Sequence, residues 1–229
     1  MSDAKLTLYS YFRSSASARV RTVMNLHGIA HDTVYIHLLQ GEQKSAAYTA
    51  VNAGQSVPTL VVRDASGEWT LAQSPAIMEY LDDVYGAARP LLPRDGGAAG
   101  ARARAHIRSI VALLCGDLFP MLSMRTLNRV KAAGGHVEPW TQQCCMEYLT
   151  ALEAILVTTS RGKYCYGDGL TLADVAFVPQ MYTVLRYCPD IMTKFPTIKS
   201  VFEHVSVIPE FVAADYMHQP DTPEDQRPK

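Results

Sequence analysis

The sequence lacks the marks of a nucleic-acid-binding, secreted or membrane protein. Its 21 Lys and Arg nearly balance 22 Asp and Glu, for a net charge of -1, so no positive excess attracts nucleic acid. Charged residues interrupt every apolar stretch within a few positions, and the N-terminus MSDAKLTLYSYF has no signal-peptide core. We therefore expect no nucleic acid or membrane partner and predict a cytoplasmic protein.

Cysteine is scarce and follows no pattern. There are 5 cysteines, an odd number, without a C-x-x-C pair or a spacing typical of zinc ligands. A disulfide framework and a metal site are therefore not indicated. We expect buried small apolar residues or free thiols at these positions: Cys115, Cys144, Cys145, Cys165 and Cys188.

What the sequence does contain is a change of pattern near residue 100. Residues 1–86 alternate between strand and helix, in the order strand, helix, strand, hairpin, helix. The predicted strands cover 6–9, 33–38, 59–63 and 69–72, and the predicted helices begin near Ser15 and after Ser74. Ser74 is the predicted N-cap, with Pro75 at the first helical position, and Gly86 ends this part.

The rest of the chain reads as helical. A Pro- and Gly-rich linker is predicted at 87–100, a helical domain at 101–220 and a flexible tail at 221–229. The first long helix is predicted over 101–127 with a kink at Pro120, and the second over 139–159. Thr171 and Asp174 form a predicted capping box at the start of a third helix. We interpret this pair as a structural feature of the helix start rather than as catalytic residues. Shorter helices follow around 197–205 and 210–214.

The serine pair Ser14 and Ser15 lies where the first strand runs into the first helix. Backbone N–H groups at a helix start have no partners within the helix, and the helix dipole is positive there. An anion or a developing thiolate is stabilised at such a position. The alternative is ordinary N-capping by serine, and the two roles are compatible.

Several short motifs of the sequence resemble those of the cytosolic glutathione transferases: SVPTL before the hairpin, QSPAIMEYL at a helix start, and GDGLTLADVAFVPQ in the helical half. YSYFRSSASARVR, the VPQ…R pattern ending at Arg186, and HQPDTP resemble the zeta class in particular, which includes maleylacetoacetate and maleylpyruvate isomerases. The resemblance covers nearly the whole chain. It implies an α/β thioredoxin-like N-terminal domain, an all-α C-terminal domain, a homodimer, and glutathione bound along the N-terminal domain with the substrate between the domains.

The resemblance also assigns residues. Ser14 and Ser15 would stabilise the glutathione thiolate. The backbone of Val57, before a cis Pro58, would pair with the cysteinyl part, although an ordinary strand-initiating proline is the alternative. The γ-glutamyl carboxylate would be bound by Gln73 and Ser74.

Three further residues have weaker assignments. Gln43 resembles another glutathione contact, and a solvated glutamine is nearly as good an interpretation. Arg13 and Arg186 are candidate anchors for substrate carboxylates. Because Arg186 lies in an otherwise apolar stretch, it needs a partner, which is either the substrate or an internal Asp or Glu.

The sequence departs from the class pattern at three positions. The class usually reads SSCSWR, whereas Ala16 and Ala18 replace the cysteine and the tryptophan here. The loss of the cysteine weighs against thiol-disulfide chemistry by the protein's own sulfur. Phe119 stands where a glutamine usually contacts glutathione, so either a neighbour such as Ser123 or Arg125 replaces that contact, or the site is altered.

The resemblance implies glutathione-dependent cis–trans isomerisation of maleylacetoacetate, a step of tyrosine and phenylalanine catabolism, together with glutathione transferase activity. This chemistry requires no metal. One alternative is a general glutathione transferase or peroxidase that acts on electrophiles or α-haloacids. Another is a non-catalytic glutathione-binding protein, since fold does not settle function.

Overall fold

The computed structural model describes residues 4–228, which form two compact units. One unit comprises the residues up to 90 together with those from 209 onward, and the other is Leu91–Ile208. These boundaries differ from the predicted helical domain at 101–220 and tail at 221–229. Apolar side chains such as Phe211 and Ala214 are buried after residue 208, so packing on the first unit, rather than a change in composition, sets the second boundary.

A four-stranded sheet forms the centre of the first unit, in the order β2-β1-β3-β4. β1 is parallel to β2 and antiparallel to β3, which pairs antiparallel with β4. The strands are β1 (Lys5–Ser10), β2 (Asp32–Tyr35), β3 (Thr59–Asp64) and β4 (Gly67–Ala72). The predicted strands are confirmed, except that β2 ends at Tyr35 rather than at residue 38, because a 3₁₀ turn begins at Leu38.

The register of the sheet aligns strand ends along one edge. Tyr9 lies opposite both Val34 and Thr59, and Thr59 lies opposite Ala72. The chain therefore leaves β1, β2 and β4 and enters β3 at the same edge. The segments that follow β1 and β4, and the segment that precedes β3, are brought together there although they are far apart in sequence.

Helices α1 (Ser15–Leu26), α2 (Ala46–Val51) and α3 (Ser74–Tyr85) complete the N-terminal part of this unit. α1 and α3 are joined by a buried pair in which His27 Nε2 lies 3.1 Å from Asp82 Oδ1, with both side chains at most 2% exposed. Gly86 ends α3, and a Cβ there would lie 2.4 Å from the same Asp82 oxygen. The close approach explains why glycine occupies this position.

The second unit begins with a helix interrupted twice. α4 (Gly97–Ala112) continues into a π-helical turn, Leu113–Leu118, and then into α5 (Phe119–Leu122). The predicted single helix over 101–127 is therefore wrong, because the backbone is extended at Ser123, where a new helix starts. Pro120 has no N–H to bond the preceding turn, and the wider π-helical turn lies directly before it.

The remaining helices agree closely with the sequence pattern. The capping box is confirmed: Thr171 Oγ1 accepts from the Ala173 N–H at 3.2 Å, and Asp174 Oδ2 accepts from the Thr171 N–H at 2.8 Å. After α5 the helices are α6 (Met124–Ala132), α7 (Val137–Thr159), α8 (Leu172–Tyr187), α9 (Pro196–Val205) and α10 (Pro209–Ala214).

One helical stretch among residues 4–228, Gly97–Leu122, is long and apolar enough to cross a membrane, with mean hydropathy 1.4 over its most apolar window. The expectation that no stretch resembles a membrane span is wrong for this segment. This likeness rests on length and composition alone, and core helices of water-soluble proteins share both properties. Of this window, 33% is buried, including the fully buried Ile107, Ile110 and Leu114.

Candidate functional site

The junction between β1 and α1 is built around Ser14, which is the N-cap of α1. Its Oγ accepts from the Ser17 N–H at 3.1 Å, and its own N–H donates to the Tyr11 carbonyl at 3.0 Å. Because the oxygen is the acceptor in the cap, the hydroxyl hydrogen can still donate to an anion. Ser15 is the first helical residue and is only 8% exposed.

The start of α1 is electropositive. The helix supplies no acceptor for the N–H groups of Ser15 and Ala16, and its first turn contains no acidic residue. The positive end of the helix dipole is therefore not neutralised by a side chain. A thiolate next to Ser14 would be stabilised by this dipole as well as by a hydrogen bond, both of which lower a thiol pKa.

The turn before β3 contains the cis peptide bond between Val57 and Pro58, as the resemblance implies. Val57 is 8% exposed and packs in the same buried cluster as Tyr11 and Phe12. These two aromatic residues directly precede Arg13 and Ser14. The Val57 turn is therefore packed against the loop that carries the serine pair.

Helix α2 holds the other side of this turn. The Tyr48 hydroxyl donates to the Ser56 carbonyl at 2.6 Å, and its oxygen lies 2.9 Å from Thr59 Oγ1. Asn52 Nδ2 donates to the Ser56 carbonyl as well, at 2.9 Å. Burial raises the pKa of Tyr48, so the phenol stays protonated and keeps its donor at neutral pH.

The β4–α3 junction carries Gln73 and Ser74. Gln73, not Ser74 as predicted, is the N-cap of α3, and its side chain makes no capping bond. Its φ of 74° is uncommon for a residue other than glycine and costs about 1–3 kcal/mol. This backbone makes Ser74 the first helical residue. Pro75 has no N–H, and the helix supplies no acceptor for the N–H of Ser74.

Two buried arginines of α1 belong to this region, and the sequence reasoning missed both. Arg19 is 1% exposed, and its Nη1 donates to Ser74 Oγ at 3.3 Å. This bond leaves the Ser74 hydroxyl hydrogen able to donate to an anion. Arg21 is 6% exposed. The signal that could have found them is two charges flanking Val20 in a helix whose other residues are mostly apolar or small, because buried charges need partners.

Gln43 lies on the 3₁₀ turn Glu42–Lys44, in the segment that follows β2. Its Oε1 is buried and has no hydrogen-bond partner. The turn is fixed by Glu42, whose carboxylate accepts from the His37 N–H at 2.6 Å. A buried amide oxygen without a donor favours a ligand contact over the solvated alternative.

The two candidate carboxylate anchors are in different surroundings. Arg13 is partly exposed, with its guanidinium carbon 6.0 Å from the centre of the Phe12 ring. Arg186 lies in the last turn of α8 and is exposed, so the premise that it is enclosed by an apolar stretch is wrong. Its charge is favourable at a helix C-terminus. Both assignments stay predictions. Arg186 belongs to the second unit, whereas Arg13 belongs to the first.

The three departures from the class pattern lie in α1 and α5. Ala16 and Ala18 are 4% and 6% exposed, among the buried residues of α1. Phe119, the first residue of α5, is partly exposed. Ser123 Oγ donates to the Pro120 carbonyl at 2.9 Å and caps α6, which counts against Ser123 as the replacement contact.

The five cysteines lie outside this region, all of them within the second unit. All five are free thiols, and Cys144, Cys145 and Cys165 are buried. Burial raises the pKa of these three thiols, which keeps them protonated and unreactive at neutral pH. Among the described residues, no three His, Cys, Asp or Glu side chains are grouped as metal ligands.

Comparison with known proteins decides the family. The model of the glutathione S-transferase N-terminal domain matches residues 13–84, and that of the C-terminal domain matches 127–217. The chain belongs to the glutathione S-transferase family. It is 37% identical over 225 residues to maleylacetoacetate isomerase of Aspergillus fumigatus, covering 97% of this chain and 95% of that protein.

Solved structures agree with this assignment. Maleylacetoacetate isomerase of Anaeromyxobacter dehalogenans, crystallised with glutathione in its active site, is 32% identical with a TM-score of 0.85, covering 97% of this chain and 100% of that one. A further crystal of that enzyme holds dicarboxyethyl glutathione and citrate. A bacterial zeta-class maleylpyruvate isomerase has the same TM-score and identity, covering 95% of this chain and 100% of that one.

These findings confirm the resemblance to the zeta class and the predicted fold class. The glutathione S-transferase fold combines the small mixed sheet of the first unit with the mostly helical second unit. The family also makes the chain an enzyme. The assignments of individual site residues stay predictions.

Proposed function

We propose that this glutathione S-transferase is a glutathione-dependent cis–trans isomerase of maleylacetoacetate, with accompanying transferase activity. The observation that carries the proposal is the alignment of Tyr9, Thr59 and Ala72 across the sheet. It gathers the serine loop, the Val57 turn and the Gln73–Ser74 helix start at one edge. The names of the relatives support the choice of substrate.

Glutathione would bind along this edge. The Val57 backbone would pair with the cysteinyl residue as an added strand does. Gln73 and the N–H and hydroxyl of Ser74 would bind the γ-glutamyl carboxylate at the start of α3. The buried Oε1 of Gln43 would accept a hydrogen bond from the ligand. These contacts would direct the cysteinyl sulfur toward the start of α1.

The bound thiol would be ionised by its surroundings. A hydrogen bond from the Ser14 hydroxyl and the positive end of α1 both favour the thiolate over the thiol. Ser15 contributes its N–H group to the same helix start. None of the segments proposed to bind glutathione contains a cysteine, so the attacking sulfur comes from glutathione.

The reaction would then proceed by addition and elimination. The thiolate adds to the cis double bond of the substrate, forming a carbon–sulfur bond while the electron pair moves to the conjugated carbonyl as an enolate. The former double bond is now single and rotates. The enolate returns its electrons, the carbon–sulfur bond breaks, and the trans product leaves with glutathione regenerated.

Glutathione bearing a dicarboxyethyl group on sulfur has the connectivity expected of a thiol added to an unsaturated dicarboxylic acid. Its presence in the Anaeromyxobacter crystal supports an addition mechanism here. Substrate carboxylates would be oriented by Arg13 and Arg186, as bidentate guanidinium pairs orient carboxylates elsewhere. A cytoplasmic homodimer acting in tyrosine and phenylalanine catabolism completes the proposal.

The test is turnover of maleylacetoacetate by purified protein with saturating glutathione, measured beside maleylpyruvate and an α-haloacid. We expect the cis-alkenes to be isomerised with glutathione unconsumed, and the haloacid to turn over more slowly while consuming glutathione. A preference for the haloacid would replace the proposal with a general transferase. Binding of glutathione without turnover of any of the three would indicate a non-catalytic binding protein.

A further inference from the structure

Residues 209–228 belong to the first unit and contact the loop that carries Ser14. Helix α10 packs on α1, where Asn25 Nδ2 donates to the Glu210 carbonyl at 3.0 Å. Beyond α10, polar residues are also buried, including Asp215, Gln219 and Thr222. Residues 209–228 are therefore a packed part of the unit that carries the proposed glutathione site.

Arg21 joins this segment to the serine loop. Its Nε and Nη2 donate to the Ala214 carbonyl at 3.0 and 2.8 Å. Its other bonds reach β1 and the loop: Nη1 donates to Ser10 Oγ at 2.9 Å and to the Tyr11 carbonyl at 3.3 Å, and Nη2 donates to the Phe12 carbonyl at 3.1 Å. The planar fork of donors thus fixes both segments at once.

Asp221 holds the same loop from the other side of the Phe12 peptide. Its Oδ2 accepts from the Phe12 N–H at 2.8 Å. Phe12 is thereby bonded through its N–H to Asp221 and through its carbonyl to Arg21. The Tyr11 carbonyl, which Arg21 also binds, accepts the N–H of Ser14. Two hydrogen bonds therefore separate Arg21 from the N-cap serine.

The charges around this link are matched. Burial lowers the pKa of Arg21 to about 10, with Asp221 and Asp215 opposing the shift, so the guanidinium is charged at neutral pH. Two positively charged or titratable groups act on Asp221: Arg21 of α1, and His37 in the segment after β2. Burial raises the pKa of the Asp221 carboxyl. Asp221 Oδ1 is buried without a hydrogen-bond partner. Burying an unsatisfied carboxylate oxygen costs free energy of folding, which is unusual for a residue of a flexible tail.

We propose that Arg21 and Asp221 are positioning residues, through which residues 209–228 hold the Ser14 loop where it can ionise the bound thiol. The proposal rests on the proposed role of Ser14 in glutathione activation. It adds a specific task for residues 209–228, which would act on the thiol through the Ser14 loop. Loss of the link leaves the γ-glutamyl anchor intact and lets the Ser14 hydroxyl drift from the sulfur.

The experiment compares Asp221→Ala with Asp221→Asn, whose amide oxygen can still accept the Phe12 N–H. The matched control is Asp225→Ala, an exposed carboxylate in the same segment. Three quantities are measured for each variant. The pKa of the enzyme-bound glutathione thiol comes from the pH dependence of its thiolate absorbance, and kcat and KM for glutathione come from steady-state kinetics.

We expect Asp221→Ala to raise the pKa of the bound thiol by about one unit and to lower kcat roughly tenfold, with KM for glutathione changed less than about twofold. Asp221→Asn should restore most of both losses, and Asp225→Ala should resemble wild type. Wild-type thiol pKa and kcat in a folded Asp221→Ala protein would overturn the proposal, as would losses that Asp221→Asn does not restore.

Arg21→Lys provides the second variant if Asp221→Ala does not fold. Lysine keeps the charge, but its three N–H donors cannot serve the four acceptors that Arg21 binds in Ser10, Tyr11, Phe12 and Ala214. A raised thiol pKa is expected again, and an unchanged one would contradict the proposal. Because the thiol pKa is measured without substrate, failure to isomerise maleylacetoacetate would defeat the proposed function while leaving this inference standing.

Discussion

At the scale of single residues, the two serines of the first helix start are not equivalent. Ser14 is partly exposed and accepts the Ser17 N–H, so its hydroxyl hydrogen can point outward. Ser15 is buried, and its side chain faces the protein. The sequence presents them as a pair, whereas the structure favours Ser14 over Ser15 for the proposed role of thiol activator.

Replacing Ser14 tests this distinction. Ser14→Ala should raise the pKa of the bound thiol and lower kcat about a hundredfold, by removing the donor to the charged sulfur. It should also cost about 1 kcal/mol of stability through the lost cap. Kinetics, thiol titration and denaturant unfolding measure the three effects. Ser14→Thr, which keeps the hydroxyl, is the control; equal kcat for Ser14→Ala and wild type would rule out the role.

Ser74 should act on binding rather than on chemistry. Ser74→Ala removes a donor to the γ-glutamyl carboxylate, so we expect KM for glutathione to rise about tenfold with kcat little changed. Ser123→Ala is a suitable control, because it also alters a serine at a helix start but in the second unit. Steady-state kinetics would contradict the assignment if both variants had the wild-type KM.

At the scale of elements, helix starts carry different kinds of information. α1 and α3 begin with serine hydroxyls that accept within the protein and can still donate, whereas α8 begins with the closed Thr171–Asp174 box. Asp174 is fully buried and accepts from the N–H groups of Cys165 and Thr171 at 2.7 and 2.8 Å. The box has no donor left to offer a ligand, so its role is in stability.

The same box predicts a specific pH dependence of stability. Burial raises the pKa of Asp174 from 3.8 to about 6, so the folded state binds this proton more tightly than the unfolded state does. The contribution of Asp174 to the free energy of unfolding therefore increases as pH falls from above 6 to about 4, by at most about 3 kcal/mol.

Asp174→Asn should destabilise the protein by about 2–4 kcal/mol at pH 7, because the amide nitrogen meets a backbone donor. Urea unfolding at several pH values measures both effects. The gap between wild type and Asp174→Asn should widen on acidification from about pH 7 to about pH 4. A gap that is constant or narrows would contradict the burial argument.

At the scale of the whole molecule, the first unit is discontinuous in sequence. Residues 209–228 return to it after the helical unit has been completed. The hydrogen bond from Phe12 to Asp221 spans 209 positions, and that from Arg21 to Ala214 spans 193. The unit can therefore be completed only when nearly the entire chain is present.

Truncation tests this dependence. A chain that ends after Pro223 keeps Asp221 and the buried Thr222, so its thermal stability should be close to that of the full chain. A chain that ends after Pro220 loses both residues and should be less stable by about 2–3 kcal/mol, since one buried charged hydrogen bond and one buried threonine are removed. Equal melting temperatures would show that the chain end is dispensable.

The sequence by itself determined the features that depend on near neighbours. Residues within a few positions of one another determine the strand and helix pattern, the capping box and the sequence motifs of the family. For the same reason, the serine junction and the start of α3 could be named as candidate anion sites from the sequence alone. The error at Ser74 was of one residue, because the positive φ of Gln73 is not encoded in a local motif.

Only the tertiary structure decided which of these features meet. The sheet register brings together the three segments of the proposed glutathione site. The fold encloses Arg19 and Arg21 and leaves Arg186 exposed. Burial of a charge depends on partners remote in sequence, as Arg21 shows with Ala214. The physical reason is that hydrogen bonding and packing act over distances in space, so a local pattern predicts an element but not what the element will face.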